Sequence, residues 1–249
     1  VLAIRDDEVP IAWIPEPPVF GVDAARAEEA PLVQADRPGN LLLKGGVKRG
    51  DAMAAFEACA AVAEGTFETA FVEHAYIEPE AGWALRVGDR IEIHATTQTP
   101  YMDRDEIANL MRLKPEAVRI VPTACGGGFG GKLDLSVQPL LAIAAWTLGR
   151  PVAMVYTRPE SMAASTKRHP ARVTARFGCD AEGKLLACDV TALFDTGAYA
   201  SWGPTVANRV PVHAMGPYAI PNVRTWGEAF FTNGPPAGAF RGFGVPQAA

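Results

Sequence analysis

The chain has 249 residues, of which 49% are hydrophobic and 20% are charged, and its formal net charge is −5. A chain of this length and composition can bury a sizeable core, as one large domain or two modest ones. Because the charge balance is acidic, no long-range field draws the protein to nucleic acid or to an anionic membrane, and partners of those kinds are not expected. The longest apolar run, residues 139–148, is too short to span a bilayer.

The first third of the chain predicts a linker followed by a helix and strands. Residues 1–40 are rich in proline and acidic side chains and show little periodicity, which is typical of an extended linker. Residues 51–64 follow a helical apolar pattern after a polar start. Strands are predicted next, the last two joined by a Gly-Asp hairpin turn, at residues 65–71, 82–87 and 90–95.

The middle of the chain predicts a βαβ-like unit. Asp103, followed by Glu106, resembles a capping box that opens a short helix to Arg112. The elements that follow are a strand, a glycine-rich loop, a helix and a second strand, at residues 118–121, 125–132, 136–148 and 152–157.

The last third of the chain predicts an antiparallel hairpin. Residues 172–179 and 184–194 are strand-like, and they flank the turn residues 180–183. Together with the preceding elements, this predicts an α+β fold of mixed sheets with helices.

The glycine-rich loop reads Cys125-Gly-Gly-Gly-Phe-Gly-Gly-Lys132. Glycines bring bare backbone N–H groups close to a ligand, and a helix N-terminus beneath them adds positive potential, so the loop predicts an anion cradle. A P-loop and a dinucleotide fingerprint both fit in part. A glycine-rich loop that only allows close packing is the purely structural alternative.

Residues downstream of the loop disagree with both nucleotide motifs. A P-loop needs Ser or Thr after the lysine, and Leu133 stands there. Dinucleotide binding requires an acidic residue about 20 positions further on. Between Asp134 and Glu160 there is none. The next strand leads instead to Arg158, which keeps an NADP-binding interpretation open.

The four cysteines form no CxxC pair, which argues against a structural zinc or an iron–sulfur cluster bound by this chain alone. Reduced thiols in a cytoplasmic protein are therefore expected. Cys179 and Cys188 fall in phase with apolar strand residues and are predicted to lie in the core. For Cys125, beside the glycines, packing is favoured over a role as nucleophile.

Three further segments stand in order with the glycine-rich loop: Glu73–Pro79, Thr96–Gln98 and Ala239–Gln247. The chain resembles the molybdenum-cofactor subunit of the xanthine dehydrogenase and aldehyde oxidase family. The resemblance is carried by two motifs, GGGFGGK and, about a hundred residues later, AFRGFGxPQ. The resemblance runs from about Pro31 onward. It implies that residues 41–249 are the first, substrate-side part of a molybdopterin-binding domain, and that residues 1–40 are a linker or the remnant of a preceding domain.

Enzymes of this family hydroxylate a carbon with water as the oxygen source, and electrons leave through iron–sulfur clusters and FAD on other subunits or domains. The resemblance therefore implies a molybdopterin cofactor and a small heteroaromatic or aldehyde substrate. It also implies three partners: an iron–sulfur subunit, an FAD subunit and the remaining molybdopterin-binding chain or domain.

The family's catalytic glutamate belongs to a GxGE-type motif beyond the equivalent of Gln247, so no catalytic residue is expected here. We therefore expect a fragment or one subunit of a split enzyme, inactive alone. The alternative is a non-catalytic fragment or scaffold subunit that binds a partner chain but no cofactor by itself.

On the cofactor side, the resemblance places Phe129 and Arg241 beside the molybdopterin, with backbone contacts from Gly128 and Gly130. Val72 stands where xanthine-oxidising relatives have a glutamine, so an amide hydrogen bond to the metal's oxo group is expected to be lost.

On the substrate side, Phe243 matches an aromatic residue that stacks on a planar ring, with a core role as the alternative. Arg209 has the spacing of a substrate-polarising arginine, with a surface salt bridge as the alternative. Leu133 replaces a glutamate of the xanthine enzymes. The resemblance with these departures implies a less polar heterocycle, or an aldehyde, rather than xanthine.

Overall fold

The computed structural model describes residue 12 and residues 14–249. The part of the predicted linker at residues 1–11 and 13 lies outside the described residues. The helices are α1 (Val22–Ala25), α2 (Ala52–Glu57), α3 (Pro100–Met111), α4 (Gln138–Leu148), α5 (Arg158–Ala164), α6 (Gly203–His213) and α7 (Val245–Ala248). The strands are β1 (Leu41–Arg49), β2 (Ala61–Thr69), β3 (Ala81–Val87), β4 (Arg90–Ala95), β5 (Val118–Pro122), β6 (Val152–Val155), β7 (Ala171–Cys179), β8 (Leu185–Gly197) and β9 (Asn222–Phe231).

The strands form two mixed sheets. The first has the order β1-β9-β8-β7-β2, and the second has the order β5-β4-β3-β6. In the first sheet only β8 and β9 pair in parallel, and in the second only β4 and β5 do. This architecture confirms the predicted α+β class of mixed sheets with helices.

The first sheet buries one face beneath α6. Alternate residues of β8 point to one face because side chains in a strand alternate, and these include Cys188, Val190 and Phe194, all buried. Val210 of α6 packs into the same cluster. Cys188 is therefore a core residue as predicted, whereas Cys179 is only half-buried.

The second sheet is covered by α3 and α4. Ile91 and Ile93 of β4 pack against Leu141 of α4 and Ile107 of α3, and all four side chains are fully buried. Helix α4 ends as predicted, at Gly149, which has φ 62° and so adopts the left-handed conformation that glycine tolerates.

Two local predictions are wrong. The helix predicted over residues 51–64 ends at Glu57, and the residues from Ala61 onward form β2, which pairs with β7 along its whole length. Pairing with a neighbouring strand overrides the local helical pattern. The predicted capping box is also absent, since α3 begins at Pro100 and Asp103 lies buried in its first turn, where it accepts a hydrogen bond from Gln138.

The predicted βαβ-like unit is present in a modified form. Strands β5 and β6 flank α4 in the chain, but they lie at opposite edges of the second sheet, with β4 and β3 between them. No helix in the part of the chain that the structure describes has the length and apolar character needed to cross a lipid bilayer.

Candidate functional site

The glycine loop, residues 126–131, is separate from the helix that follows it. Helix α4 begins at Gln138, so the prediction of a helix N-terminus beneath the glycines is wrong. Gly127 and Gly130 have φ values of 109° and 105°, a conformation that favours glycine. The loop is therefore shaped by its own backbone and by side chains that hold it from outside.

One carboxylate holds both ends of the glycine loop. Glu78 Oε2 accepts a hydrogen bond from the Gly126 N–H at 2.7 Å and from Lys132 Nζ at 2.8 Å. Lys132 is only 3% exposed, and its Nζ also lies 4.7 Å from the centroid of the Tyr76 ring. Because this ammonium is buried against a carboxylate and an aromatic ring, it stabilises the loop and is not available as a phosphate-binding P-loop lysine.

Gln98 holds the middle of the same loop. Its Oε1 accepts hydrogen bonds from the N–H groups of Gly130 and Lys132, at 3.1 Å and 3.3 Å. Two N–H donors fix which amide atom is the oxygen, so the Nε2 group must point elsewhere. No acceptor in the described part of the chain takes its hydrogens. The sequence reasoning included Gln98 in the resemblance but gave it no role.

The glycine loop meets a second loop, residues 239–244. The Arg241 N–H donates to Phe129 O at 2.8 Å, and Arg241 Cζ lies 5.1 Å from the centroid of the Phe129 ring. A Cβ atom on Gly130 would lie 2.6 Å from Ala239 O, so the two backbones touch there. The structure thus brings Arg241 to Phe129 and Gly130, from which it lies 112 and 111 positions away in the sequence.

Two side chains hold the 239–244 loop from behind. His74 stacks on Phe240 at 4.2 Å, and its Nε2 lies 2.7 Å from Ala239 O, which can only accept, so Nε2 carries the hydrogen. Burial lowers the pKa of His74, which favours this neutral form. Arg168 Cζ lies 4.0 Å from the Phe240 centroid, and its Nη2 donates to Arg241 O at 3.0 Å.

A buried ion pair lies next to His74. Lys167 Nζ is 2.7 Å from Glu73 Oε2, and Ser165 Oγ donates to the same carboxylate at 3.2 Å. The other Glu73 oxygen accepts from the His74 N–H at 3.1 Å. Glu73 immediately precedes His74 and Lys167 immediately precedes Arg168, so this ion pair helps to fix the position of both side chains that hold the 239–244 loop.

Several donors on this surface remain free. The N–H groups of Gly128 and Phe129 donate to no acceptor in residues 14–249, whereas the Gly130 N–H is bound by Gln98. The Arg241 guanidinium is exposed and forms no ion pair with a described residue. Phe129 is 43% exposed beside it. Val72 is also exposed, and its carbonyl accepts from the Arg168 N–H at 2.9 Å.

A cavity of about 700 Å³ lies beside Leu133. Trp202 lines it and meets Phe243 edge-on, with ring centroids 6.1 Å apart and planes at 87°. Arg209 Cζ lies 5.2 Å from the Phe243 centroid, and Arg209 forms no salt bridge within the described residues. The three predicted substrate residues are therefore connected through Trp202, which sequence reasoning missed because no motif marks it.

The backbone adds a feature of its own. Phe129, Ser201 and Phe243 have φ values of 54°, 41° and 46°, in the left-handed region that bulky residues rarely adopt. Such conformations persist only where the surrounding structure enforces them, and they cluster at functional sites. Cys125, in contrast, is exposed, so its predicted packing role is wrong. Its Sγ lies 3.3 Å from Gly127 O.

Comparison with known proteins identifies the domain family to which this chain belongs. Residues 33–249 match the family model described as the molybdopterin cofactor-binding domain. The chain belongs to this family. It is 43% identical over 231 residues to the nicotinate dehydrogenase large molybdopterin subunit of Eubacterium barkeri, an alignment that covers 92% of this chain and 54% of that one.

Solved structures agree with the assignment. The aldehyde oxidoreductase of Desulfovibrio gigas superposes with a TM-score of 0.90 at 30% identity, over 94% of this chain and 26% of that one. Quinoline 2-oxidoreductase of Pseudomonas putida 86 superposes with a TM-score of 0.88 at 25% identity, over 97% and 32% of the two chains. The chain thus spans about half, or less, of the relatives it matches.

The exposed groups of this molybdopterin cofactor-binding domain fit its cofactor. A molybdopterin presents a phosphate and a pterin edge, which need N–H donors and a guanidinium rather than metal ligands. The free donors are of this type: Gly128, Phe129, Gln98 and Arg241. No group of three or more His, Cys, Asp or Glu side chains in the described ranges is arranged to hold a metal ion. Arg158 is bound to Ile77 O at 2.8 Å, and the family assignment replaces the NADP interpretation.

Because the two loops touch at Gly130, adding a single methyl group at this position is expected to reduce the stability of the domain. A Gly130→Ala variant would place its Cβ 2.6 Å from Ala239 O while forcing alanine to adopt φ 105°. We expect the molybdopterin-binding domain to lose about 1–3 kcal/mol of unfolding free energy, measured by chemical denaturation. Gly149→Ala is the matched control, because its added Cβ meets nothing within 4 Å although φ is also positive. Equal losses in the two variants would mean that φ strain alone matters and that the loops do not touch.

Proposed function

We propose that this domain is part of a molybdenum hydroxylase that oxidises an N-heterocycle or an aldehyde at carbon. In this proposal, electrons pass to iron–sulfur and FAD centres on partner subunits or domains, and the remaining molybdopterin-binding chain or domain completes the site. A cytoplasmic location is proposed as well, since all four cysteines are free thiols. The observation that supports this function most strongly is the junction of the glycine loop with the 239–244 loop at Phe129 and Arg241.

The chain's own residues have distinct tasks in this proposal. Arg241 supplies a charged planar donor, and the N–H groups of Gly128 and Phe129 supply two directed neutral donors. Gln98 adds a donor whose direction is fixed because its oxygen is held by Gly130 and Lys132. When bound, the cofactor would supply the two-electron oxidation of the substrate carbon.

The position of Gln98 changes the consequence that we expected from valine at position 72. The sequence reasoning expected an amide donor to be lost because Val72 replaces a glutamine. The structure places an amide with free hydrogens directly on the glycine loop, at Gln98, whereas Val72 contributes its backbone to the strand-like contact with Arg168. We propose that Gln98 provides the amide donor and that Val72 acts through Arg168.

On the substrate side, Phe243 would stack on a planar ring and Arg209 would lie near its edge. Leu133 offers an apolar wall of the cavity, and Trp202 joins that wall to Phe243. In this proposal, the arrangement would shield one face of a bound flat ring from water, and it would require no catalytic acid or base from the described residues.

A non-catalytic scaffold subunit remains the competing function, and metal analysis separates the two. Purified protein, alone and with its partner chains, is assayed for molybdenum by mass spectrometry and for pterin by fluorescence after acid release. The proposed function requires one molybdenum per domain, within about a factor of two, in the complete assembly. Molybdenum absent from both preparations contradicts it and supports the scaffold function.

Arg241 provides the test at residue level. Lysine keeps the charge but loses the planar, bidentate donor geometry, so Arg241→Lys is expected to lower molybdenum and pterin content about 3- to 30-fold in the complete enzyme. Arg119→Lys is the control, because Arg119 is exposed and its only ion-pair partner among residues 14–249 is Glu92, at 3.0 Å. Unchanged molybdenum content and unchanged kinetics in Arg241→Lys would remove Arg241 from the site.

A further inference from the structure

The cavity beside Leu133 is lined by acidic side chains but not, among the described residues, by basic ones. Its volume of about 700 Å³ lies within the range that holds a ligand of one or two rings. Three acidic residues line it, and none of the described lining residues is basic: Asp103, Glu106 and Asp134 stand among apolar and hydroxyl side chains. The cavity therefore offers acceptors and no cationic donor.

The three carboxyl groups are not equivalent. Asp103 is buried and already accepts a hydrogen bond from Gln138 Nε2 at 3.2 Å, and Glu106 lies exposed on α3. Asp134 is half-buried and follows Leu133 directly in the chain. Ser201 Oγ lies 2.9 Å and 2.8 Å from its two carboxylate oxygens.

The Asp134 carboxylate has unused capacity. A carboxylate offers about four lone-pair sites, and the single hydroxyl hydrogen of Ser201 can fill only one at a time. No other donor in the described part of the chain reaches Asp134. Burial raises the pKa of this carboxyl and the hydrogen bond from Ser201 opposes that effect. A half-buried acceptor with open sites is most stable when a ligand donates to it.

Ser201 is held in place to orient this carboxylate. Its φ of 41° is unfavourable for a residue with a side chain and must be enforced by neighbours. A Cβ on Gly238 would lie 2.8 Å from Ser201 Oγ, so only glycine leaves room for the hydroxyl there. Ser201 precedes Trp202, which connects the cavity to Phe243. The pair is thus fixed between the cavity and the proposed substrate-stacking ring.

We propose that the Asp134–Ser201 pair is a specificity determinant that selects substrates presenting a ring N–H donor to this cavity, an inference that rests on the function proposed above. Asp134 accepts the ring N–H, Ser201 fixes the direction of the carboxylate, and Leu133 contacts the apolar part of the ring. Substrates that direct a carboxylate into the cavity face three carboxyl groups and no cation among the described lining residues, and they are disfavoured.

The test compares two ligands that are not themselves oxidised at the reacting position. Benzimidazolone presents two ring N–H groups and is already a carbonyl at C2, and 1,3-dimethylbenzimidazolone has the same ring without those hydrogens. Dissociation constants are measured by calorimetry on the complete enzyme. We expect the wild-type protein to bind benzimidazolone about 10- to 100-fold more tightly than its dimethyl derivative. Asp134→Asn, which keeps the shape, should reduce that preference about 5- to 20-fold.

Three outcomes overturn the proposal: equal affinity for both ligands in the wild-type protein, an unchanged preference in Asp134→Asn, or an equal fall in Glu106→Gln. The last variant removes a charge from the same cavity without touching Ser201, so it separates the pair from the general acidity of the lining. If Asp134→Asn does not fold, Ser201→Ala replaces it and is expected to shift the preference in the same direction. Absence of molybdenum would contradict the proposed function, whereas the calorimetric preference would still report on the pair.

Discussion

Lys167→Met is expected to destabilise the domain by about 3–5 kcal/mol, because it leaves the Glu73 carboxylate in a largely buried position without its cation. Lys167 is 8% exposed, and its Nζ lies 2.7 Å from Glu73 Oε2. The ammonium also donates to Ser165, through both the backbone oxygen and Oγ. Chemical denaturation followed by near-ultraviolet circular dichroism measures the change in unfolding free energy.

Two further variants show whether the uncompensated charge is the cause. The double variant Glu73→Gln/Lys167→Met removes both charges, and it should recover a large part of the loss. Arg119→Met breaks an exposed pair with Glu92 and should change the unfolding free energy little. If the double variant were as unstable as Lys167→Met, loss of packing rather than an unpaired carboxylate would explain the result.

Much of the fold could be predicted from local pattern. The β3–β4 hairpin, the β7–β8 hairpin and the end of α4 at Gly149 all follow from turn residues and alternation, which act over a few positions. The helix predicted over residues 51–64 was shortened by β2, whose pairing with β7 joins Ala61 to Cys179. Such pairing depends on residues more than a hundred positions away, which a local pattern does not contain.

The sequence identified the segments that form the candidate site, but it did not show which of their residues touch. The motif around Phe129 and the motif around Arg241 were both identified, but their direct contact depends on chain topology. Trp202 has no motif, and it became visible only through its edge contact with Phe243. The helix was predicted from residue 136 and starts at Gln138, but the helix-backed cradle was wrong because residues 132–137 separate the glycines from its first turn.

Three-dimensional contacts, rather than motifs, explain the roles of the remaining segments of the resemblance. Glu78 was part of the resemblance, and its function as the carboxylate that closes both ends of the glycine loop required the distances to Gly126 and Lys132. His74 likewise holds Ala239 O and the Phe240 ring. Sequence reasoning can assign such residues to a family, but only three-dimensional contacts separate those that face a ligand from those that support the loops.

Xanthine is expected to be a poor substrate of the complete enzyme, and Leu133 is the reason. The polar edge of xanthine needs hydrogen-bond partners, and leucine offers none, so each unmet buried group costs about 1–3 kcal/mol. That cost corresponds to about 5- to 150-fold in kcat/KM for each group. The neighbouring cavity is lined by three carboxyl groups and, among the described residues, by no basic side chain, so it offers the carbonyl oxygens of xanthine no charged donor.

The measurement is kcat/KM for xanthine, hypoxanthine, nicotinate and benzaldehyde with an artificial electron acceptor. We expect hypoxanthine, the less oxygenated purine, to exceed xanthine by at least about tenfold. Leu133→Glu should raise kcat/KM for xanthine relative to benzaldehyde, while Leu133→Met, which keeps an apolar side chain of similar volume, should leave that ratio unchanged. If xanthine were the best of the four by a wide margin, Leu133 would not determine specificity.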